Sequence, residues 1–214
     1  MPTRSTDRSA ALLTVEGLEC RRGERMLFSG LDLGLEPGGI IWVRGANGQG
    51  KTTLLRTLAG LSRPEAGRLT WGEPQPVGRA LYLAHANALK DELSAAESLR
   101  FLRELDGGTA TAADLEAALA RFGMASRRAA PVRTLSQGQR RRVALARLAL
   151  PGTASTWLLD EPFDALDAGG VEILNTLLVE HARGGGGVVL TSHLPLTIAA
   201  PRPTMISLDA TTTA

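Results

Sequence analysis

Ile40-Ile41-Trp42-Val43-Arg44 runs directly into Gly45-Ala46-Asn47-Gly48-Gln49-Gly50-Lys51-Thr52, and that junction decides the architecture. The first four residues form an apolar, β-branched and aromatic run of the kind that makes a buried parallel strand. After Thr52, Leu54, Leu55 and Leu58 recur at helical spacing as far as Gly60, so the glycine-rich stretch is a strand-to-helix loop. Its glycines let the backbone curl until successive N–H groups point inward, and the helix N-terminus adds partial positive charge, so the loop holds a polyanion. This is the P-loop pattern in its required context. Lys51 is placed for the β and γ phosphates of ATP, and the Thr52 hydroxyl for Mg²⁺. The nucleotide-binding set expected here is Gly45, Ala46, Asn47, Gly48, Gln49, Gly50, Lys51, Thr52 and Thr53.

Two further runs look like buried parallel strands with chemically loaded ends. Thr156-Trp157-Leu158-Leu159 stops at Asp160-Glu161, and Val188-Val189-Leu190 stops at Thr191-Ser192-His193. An open α/β sheet binds its ligands at the carboxyl ends of such strands. An Asp-Glu pair is ordinarily a solvated turn, but at the end of a buried strand in a P-loop chain it has a task. Asp160 is expected to hold Mg²⁺, directly or through water, and Glu161 to polarise an attacking water.

Elsewhere the pattern changes. From Ser94 to Leu150 it turns helical, with Leu99, Leu102 and Leu105 assigned to one face and Leu115, Ala118, Leu119 and Phe122 to another; Ser94-x-x-Glu97 has capping-box spacing. Leu12 to Leu18 and Met26 to Leu35 alternate like antiparallel strands, with turns at Arg22-Gly23 and Pro37-Gly38-Gly39. Gly184 to Gly187 marks a turn before a strand. The expected fold is α/β: a RecA-like P-loop NTPase core with an N-terminal antiparallel β region and an inserted α-helical subdomain. Residues 1–214 are read as one ATPase domain, with 1–87 and 151–214 forming the core and 88–150 the helical subdomain.

Composition bounds the function classes. The 214 residues are 43% hydrophobic, ample for a core, and the net charge of +2 is too small to argue for nucleic acid as a partner. Gly, Pro or charge interrupts every apolar run before the roughly 18 to 20 residues a membrane span needs, so no direct membrane insertion is expected. Met1 to Ala10 lacks the apolar stretch of a secretory signal, which predicts a cytoplasmic chain. Cys20 is the single cysteine, read as a buried thiol, and it excludes an internal disulfide.

Leu135-Ser136-Gln137-Gly138-Gln139 resembles the signature motif of ATP-binding-cassette proteins, and the resemblance extends from about Leu12 to His193. Read from the residues, Ser136-x-x-Gln139 is a helix-start capping box followed by Arg140, Arg141 and Arg142 in the first turn. There positive charge opposes the helix dipole, which a nearby anion would relieve. In the family, the signature of one subunit caps the γ-phosphate held by the P-loop of another. The resemblance therefore implies a homodimer with ATP at its interface, contacted in trans by Ser136, Gln137, Gly138 and Gln139. It further implies that Asp167, in the D-loop-like Phe163-Asp164-Ala165-Leu166-Asp167, communicates with the opposite site, and that His193 lies near the γ-phosphate.

Two positions depart from the family pattern. Alignment through Gly23 places Arg22 where an aromatic usually stacks on adenine, and a guanidinium plane can stack instead. His85, in Leu81-Tyr82-Leu83-Ala84-His85, occupies the place of the usual Q-loop glutamine. Together with the arginine-rich signature helix and the short segment after His193, these resemble the ATPase subunits of the bacterial haem exporter used in cytochrome c maturation. That resemblance implies integral membrane permease partners of the cytochrome c maturation complex. It also implies a peripheral position on the cytoplasmic side of the inner membrane, and ATP hydrolysis coupled either to haem movement or to release of a haem-loaded chaperone. An ABC ATPase for another export substrate, a soluble non-transport ABC ATPase acting on nucleic acid and a non-hydrolysing binding module remain the alternatives. The residues Lys51, Asp160, Glu161 and His193 weigh against the last.

Overall fold

A computed structural model describes residues 11–72, 80–153 and 155–208; the N-terminal decapeptide read for a signal lies outside them. Strands β1 (Leu13–Arg22) and β2 (Arg25–Leu35) pair antiparallel across the Gly23-Glu24 turn, and β4 (Ala66–Trp71) pairs with the other edge of β1, giving the order β2-β1-β4. The second sheet is parallel. Strand β3 (Ile40–Arg44) and β5 (Leu81–Leu83) join β6 (Thr156–Leu159), β7 (Gly187–Thr191) and β8 (Thr204–Ser207) in the order β5-β6-β7-β3-β8.

Side-chain alternation along the parallel strands explains the layering. Ile41, Val43, Leu158 and Val189 face a cluster built with the antiparallel sheet and with Leu54, Leu55 and Leu58 of α1 (Lys51–Leu58). Ile40, Trp157, Leu159, Val188 and Leu190 face the opposite way, toward Leu174, Leu177 and Leu178 of α5 (Ala168–Arg183). Both faces are covered, which is why these strands are apolar without a break.

The helical stretch contains α2 (Ala95–Leu105), α3 (Ala112–Arg121) and α4 (Gln137–Leu145), each opened by a capping box, and α4 continues as a 3₁₀ turn over Ala146–Ala149. Leu99, Leu115, Leu119, Phe122 and Val143 belong to the same hydrophobic cluster as the α5 face of the sheet. One expectation fails. Leu99 and Leu102 are buried but Leu105 is 67% exposed. At 3.6 residues per turn a residue six positions on has rotated off the face, so Leu105 ends the helix in solvent. Cys20 is buried, as expected; its Sγ lies 3.6 Å from the Thr57 hydroxyl and burial pushes the thiol pKa up.

Candidate active site

Strands β3, β6 and β7 are parallel neighbours or near neighbours, so the loops leaving their carboxyl ends converge. Gly50 caps α1 in the left-handed conformation (φ 97°), and a Cβ there would sit 3.0 Å from Cβ of Leu27, so the position requires glycine. Lys51, only 9% exposed, donates from Nζ to the carbonyls of Gly45 at 2.8 Å and Ala46 at 3.4 Å. Gln49 turns back on the loop, its Oε1 accepting the Ala46 N–H at 2.7 Å.

The two carboxylates are buried and densely held. Asp160 Oδ2 accepts from the Thr52 hydroxyl at 2.8 Å, and Oδ1 accepts from the Thr191 hydroxyl at 3.0 Å. That same Thr191 oxygen accepts the Glu161 N–H at 2.8 Å. Glu161 adopts a left-handed backbone conformation (φ 46°), and its Oε2 accepts the His193 N–H at 3.0 Å. Its Oε1 lies 3.3 Å from His193 Nε2, within ion-pair reach, yet has no hydrogen-bond partner. A buried carboxylate oxygen with an open lone pair beside a cavity is a place for a water.

That cavity, about 280 Å³, is lined by Arg22 and Leu27 from the antiparallel sheet, by Asn47, Gly48, Gly50, Lys51, Thr52 and Thr53, and by His85, Asp160, Glu161 and His193. Gly45 and Ala46 line a neighbouring cavity of about 400 Å³ together with Arg44 and Ser192. The His85 ring is exposed, with Nδ1 3.3 Å from Asp164 Oδ2. Among the described residues no cluster of three or more His, Cys, Asp and Glu side chains forms a metal site. The Thr52 hydroxyl beside the Asp160 carboxylate instead supplies two hard oxygens, which fits Mg²⁺, a cation that takes one or two protein ligands and completes its shell with phosphate and water.

The signature-like residues and Asp167 do not reach this cavity. Ser136 caps α4 through a hydrogen bond from the Gln139 N–H at 3.2 Å, and the chain is so close at Gly138 that a Cβ would meet the Ala165 carbonyl at 2.9 Å. Asp167 caps α5: its Oδ1 accepts from the Gly170 N–H at 2.8 Å and from Arg142 at 2.5 Å, and these contacts hold its carboxyl below the usual range.

The three arginines depart from expectation. They occupy the fourth to sixth positions of α4 rather than its first turn, and groups within the chain satisfy them. Arg140 pairs with Asp91 at 3.0 Å and Arg142 with Asp167. Arg141 is 2% exposed and donates to five backbone carbonyls and to Asn87 Oδ1. Burial pushes its pKa down and the nearby Asp164, Asp160 and Glu161 charges push it back up.

The ABC transporter family profile matches residues 28–164. The chain is 45% identical to the cytochrome c biogenesis ATP-binding export protein CcmA of Aromatoleum aromaticum, over 94% of this chain and 97% of that one. The protein of the same name from Methylococcus capsulatus is 48% identical, over 89% and 95%. The chain belongs to the ABC transporter family. Among solved structures, an ABC transporter ATP-binding protein from Pyrococcus furiosus superposes with a TM-score of 0.79 at 22% identity, covering 94% of this chain and 99% of that one, which shows the P-loop ATPase fold.

Three residues around this ABC site were missed in the sequence: Arg141, Thr191 and Trp42. Trp42 Nε1 donates to the Ser192 carbonyl at 3.1 Å, anchoring the segment that leads into His193. Trp42 reads as a strand residue and Thr191 as the first residue of the segment leading to His193, and nothing in their spacing marks the hydrogen bonds they make. Arg141 carried a signal, since it shares a helical face with Ala144 and Leu145, both buried.

Proposed function

We propose that this chain is the ATP-hydrolysing subunit of a bacterial export complex of cytochrome c biogenesis, working as a homodimer on integral membrane permease subunits. The observation that carries the chemistry is the convergence of Lys51, the Thr52–Asp160 pair and the Glu161–His193 pair on one cavity. The reaction is attack of water on the γ-phosphorus of ATP: a water oxygen–phosphorus bond forms, the bond to the β-γ bridging oxygen breaks, and ADP and phosphate leave.

The residues divide the work. Backbone N–H groups of residues 47–52 and the Lys51 ammonium hold the phosphates, and Arg22 stacks on the adenine from the cavity rim. Glu161, with its open Oε1, accepts a hydrogen bond from the attacking water and orients it, while His193 stands beside the same oxygen and the γ-phosphate. His85 faces the attacking water from the loop after β5, where it lines the same cavity as Glu161. Thr52 and Asp160 would hold Mg²⁺, which would supply positive charge to neutralise the phosphates.

Ser136 and Gln137 are exposed, and no signature residue lines the cavity of its own chain, which supports their use on the nucleotide of a second copy, with Asp167 between the two sites. Residues 88–150 are assigned as the helical subdomain that meets the permease and 1–87 with 151–214 as the core. No helix among the described residues is long and apolar enough to cross a membrane, so attachment to the cytoplasmic face of the inner membrane falls to the partner. Hydrolysis drives either haem movement or release of a haem-loaded chaperone, and no nucleic acid takes part.

The test is light scattering of the Glu161→Gln chain with saturating Mg-ATP, in which binding persists and hydrolysis stalls. A dimer that reverts to monomer on removal of nucleotide is expected. A monomer at saturation, alone and with its membrane partner, overturns the two-subunit reading.

A further inference from the structure

Glu161 sits in a backbone conformation that a residue with a Cβ adopts only when its surroundings enforce it. One enforcing contact is the Thr191 hydroxyl on its N–H. The other is Arg141. Nη2 of that side chain donates to the Glu161 carbonyl at 2.7 Å, the shortest of its six bonds, and to the Asp160 carbonyl at 3.2 Å. Nε donates to the Pro162 carbonyl at 3.3 Å. Three successive carbonyls thus curl around one guanidinium, an arrangement that the left-handed residue in the middle makes possible.

The opposite edge of the fork faces a second loop. Nη1 donates to the carbonyls of Ala84 at 3.1 Å and His85 at 3.3 Å and to Asn87 Oδ1 at 3.0 Å. Both loops line the nucleotide cavity, one through Glu161 and the other through His85. Helix α4 carries the cation that joins them.

We propose that Arg141 is a positioning residue for hydrolysis: it locks the turn at Glu161, ties it to the His85 loop, and so makes the pose of the Glu161 carboxylate depend on the position of α4. A role in packing alone does not call for this chemistry, because an apolar side chain of similar volume fills a core position without leaving donors to satisfy. Remove the guanidinium and converging buried carbonyls lose their donors, which is costly in the strained turn above all. Lysine does not replace it, since a single ammonium cannot reach acceptors on both edges of a planar fork.

The inference rests on the hydrolysis reading above, and the experiment separates the two. Turnover, Mg-ATP affinity and thermal stability are measured for the full chain and for Arg141→Lys and Arg141→Gln. Loss of kcat on the order of tenfold to a hundredfold is expected, with Kd for Mg-ATP changed less than about threefold, because the P-loop is untouched. In the Glu161→Gln background the same substitutions should add little, since both act on one water. Folded variants whose kcat stays within about twofold of the parent, or losses that multiply fully with Glu161→Gln, overturn the proposal. Should both Arg141 variants fail to fold, Asn87→Ala decides. Removing that one acceptor should lower kcat about threefold at unchanged Kd, and an unchanged kcat there leaves Arg141 a folding residue only. A parent chain that binds ATP without turning it over, alone and with its membrane partner, instead refutes the hydrolysis reading.

Discussion

Strand β6 has polar groups buried at both ends, and the two ends are built differently. At its start the Trp157 ring stacks on His181, with centroids 3.7 Å apart and planes 8° from parallel, and His181 Nε2 lies 3.1 Å from the Ser155 carbonyl. That carbonyl also accepts the Gly187 N–H at 2.8 Å, while the Thr156 hydroxyl and Trp157 Nε1 beside it are buried without a hydrogen-bond partner. At its end, Asp160 and Glu161 draw partners from the P-loop helix, β7, the His193 segment and α4, and still leave Glu161 Oε1 open. The start uses a neutral aromatic pair to pack. The end holds charges in place around a cavity, where a ligand completes the set. Substitutions should therefore divide: those at the end strike turnover, those at the start strike stability.

The largest effects are expected at the end. Lys51→Ala should abolish ATP turnover, and Glu161→Gln should keep ATP binding while lowering kcat by about 10²-fold or more, the scale on which preorganised charge acts in such sites. Neither should lower Tm by much, since relief of buried charge offsets the lost hydrogen bonds. Turnover, equilibrium ATP binding and calorimetry on the same preparations check this. A variant that unfolds while its remaining folded fraction turns over normally would erase the division between the two ends.

That division was only partly legible in the sequence. The P-loop context, the strand run into Asp160-Glu161 and the one into His193 identified β3, β6 and β7, and the hairpin alternation identified β1 and β2. Strands β4, β5 and β8 escaped notice. β5 has three residues, and β4 and β8 are edge strands with exposed or half-buried positions that carry no strong periodicity. The convergence of Lys51, Thr52, Asp160, Glu161 and His193 followed from fold class, because parallel strands place their carboxyl ends together. The inward turn of Arg141 did not follow, because the three consecutive arginines read as first-turn cations that a nearby anion would relieve, and which of them faces inward depends on the rotation of α4. Likewise Thr191 and Trp42 act through contacts between strands distant in sequence, which no local pattern records.

At the start of β6 a smaller effect is expected, and it depends on pH. Burial holds the His181 pKa below its ordinary value of 6.5. The unfolded chain takes up its proton as pH falls through that ordinary value while the folded chain does not, so the unfolded state binds more protons and folding stability drops. The drop begins near the unfolded pKa and ends once pH passes below the depressed folded one. His181→Phe keeps an aromatic face for Trp157 and leaves the Ser155 carbonyl its Gly187 partner. It should flatten this acid loss of stability while kcat at neutral pH stays within about twofold, since no site residue is touched. Urea midpoints across mildly acidic pH measure it. An unchanged slope would mean that His181 does not report the acid sensitivity of the fold.

The smallest effect is expected at the rim, where His85 lines the cavity without belonging to the dense network. Its side chain is 67% exposed, and its ion-pair partner Asp164 is 45% exposed. Exposed pairs of this kind contribute roughly 0–1 kcal/mol, because water screens the charge and two mobile side chains must be ordered. The loop itself is held through the His85 carbonyl, which accepts from Arg141 and is unaffected by a change of side chain. Glutamine offers both a donor and an acceptor, as neutral imidazole does, so His85→Gln should conserve contact with a water in the cavity. We expect Tm to shift by about 1 °C or less and kcat to stay within about threefold of the parent at saturating Mg-ATP. Measuring Asp164→Asn alongside separates loss of the pair from loss of the ring. If His85→Gln instead lowers kcat beyond tenfold while Asp164→Asn does not, the imidazole acts on the reacting water. The charged end of β6 then extends across to the loop after β5, through a ring whose exposure comes from facing the substrate.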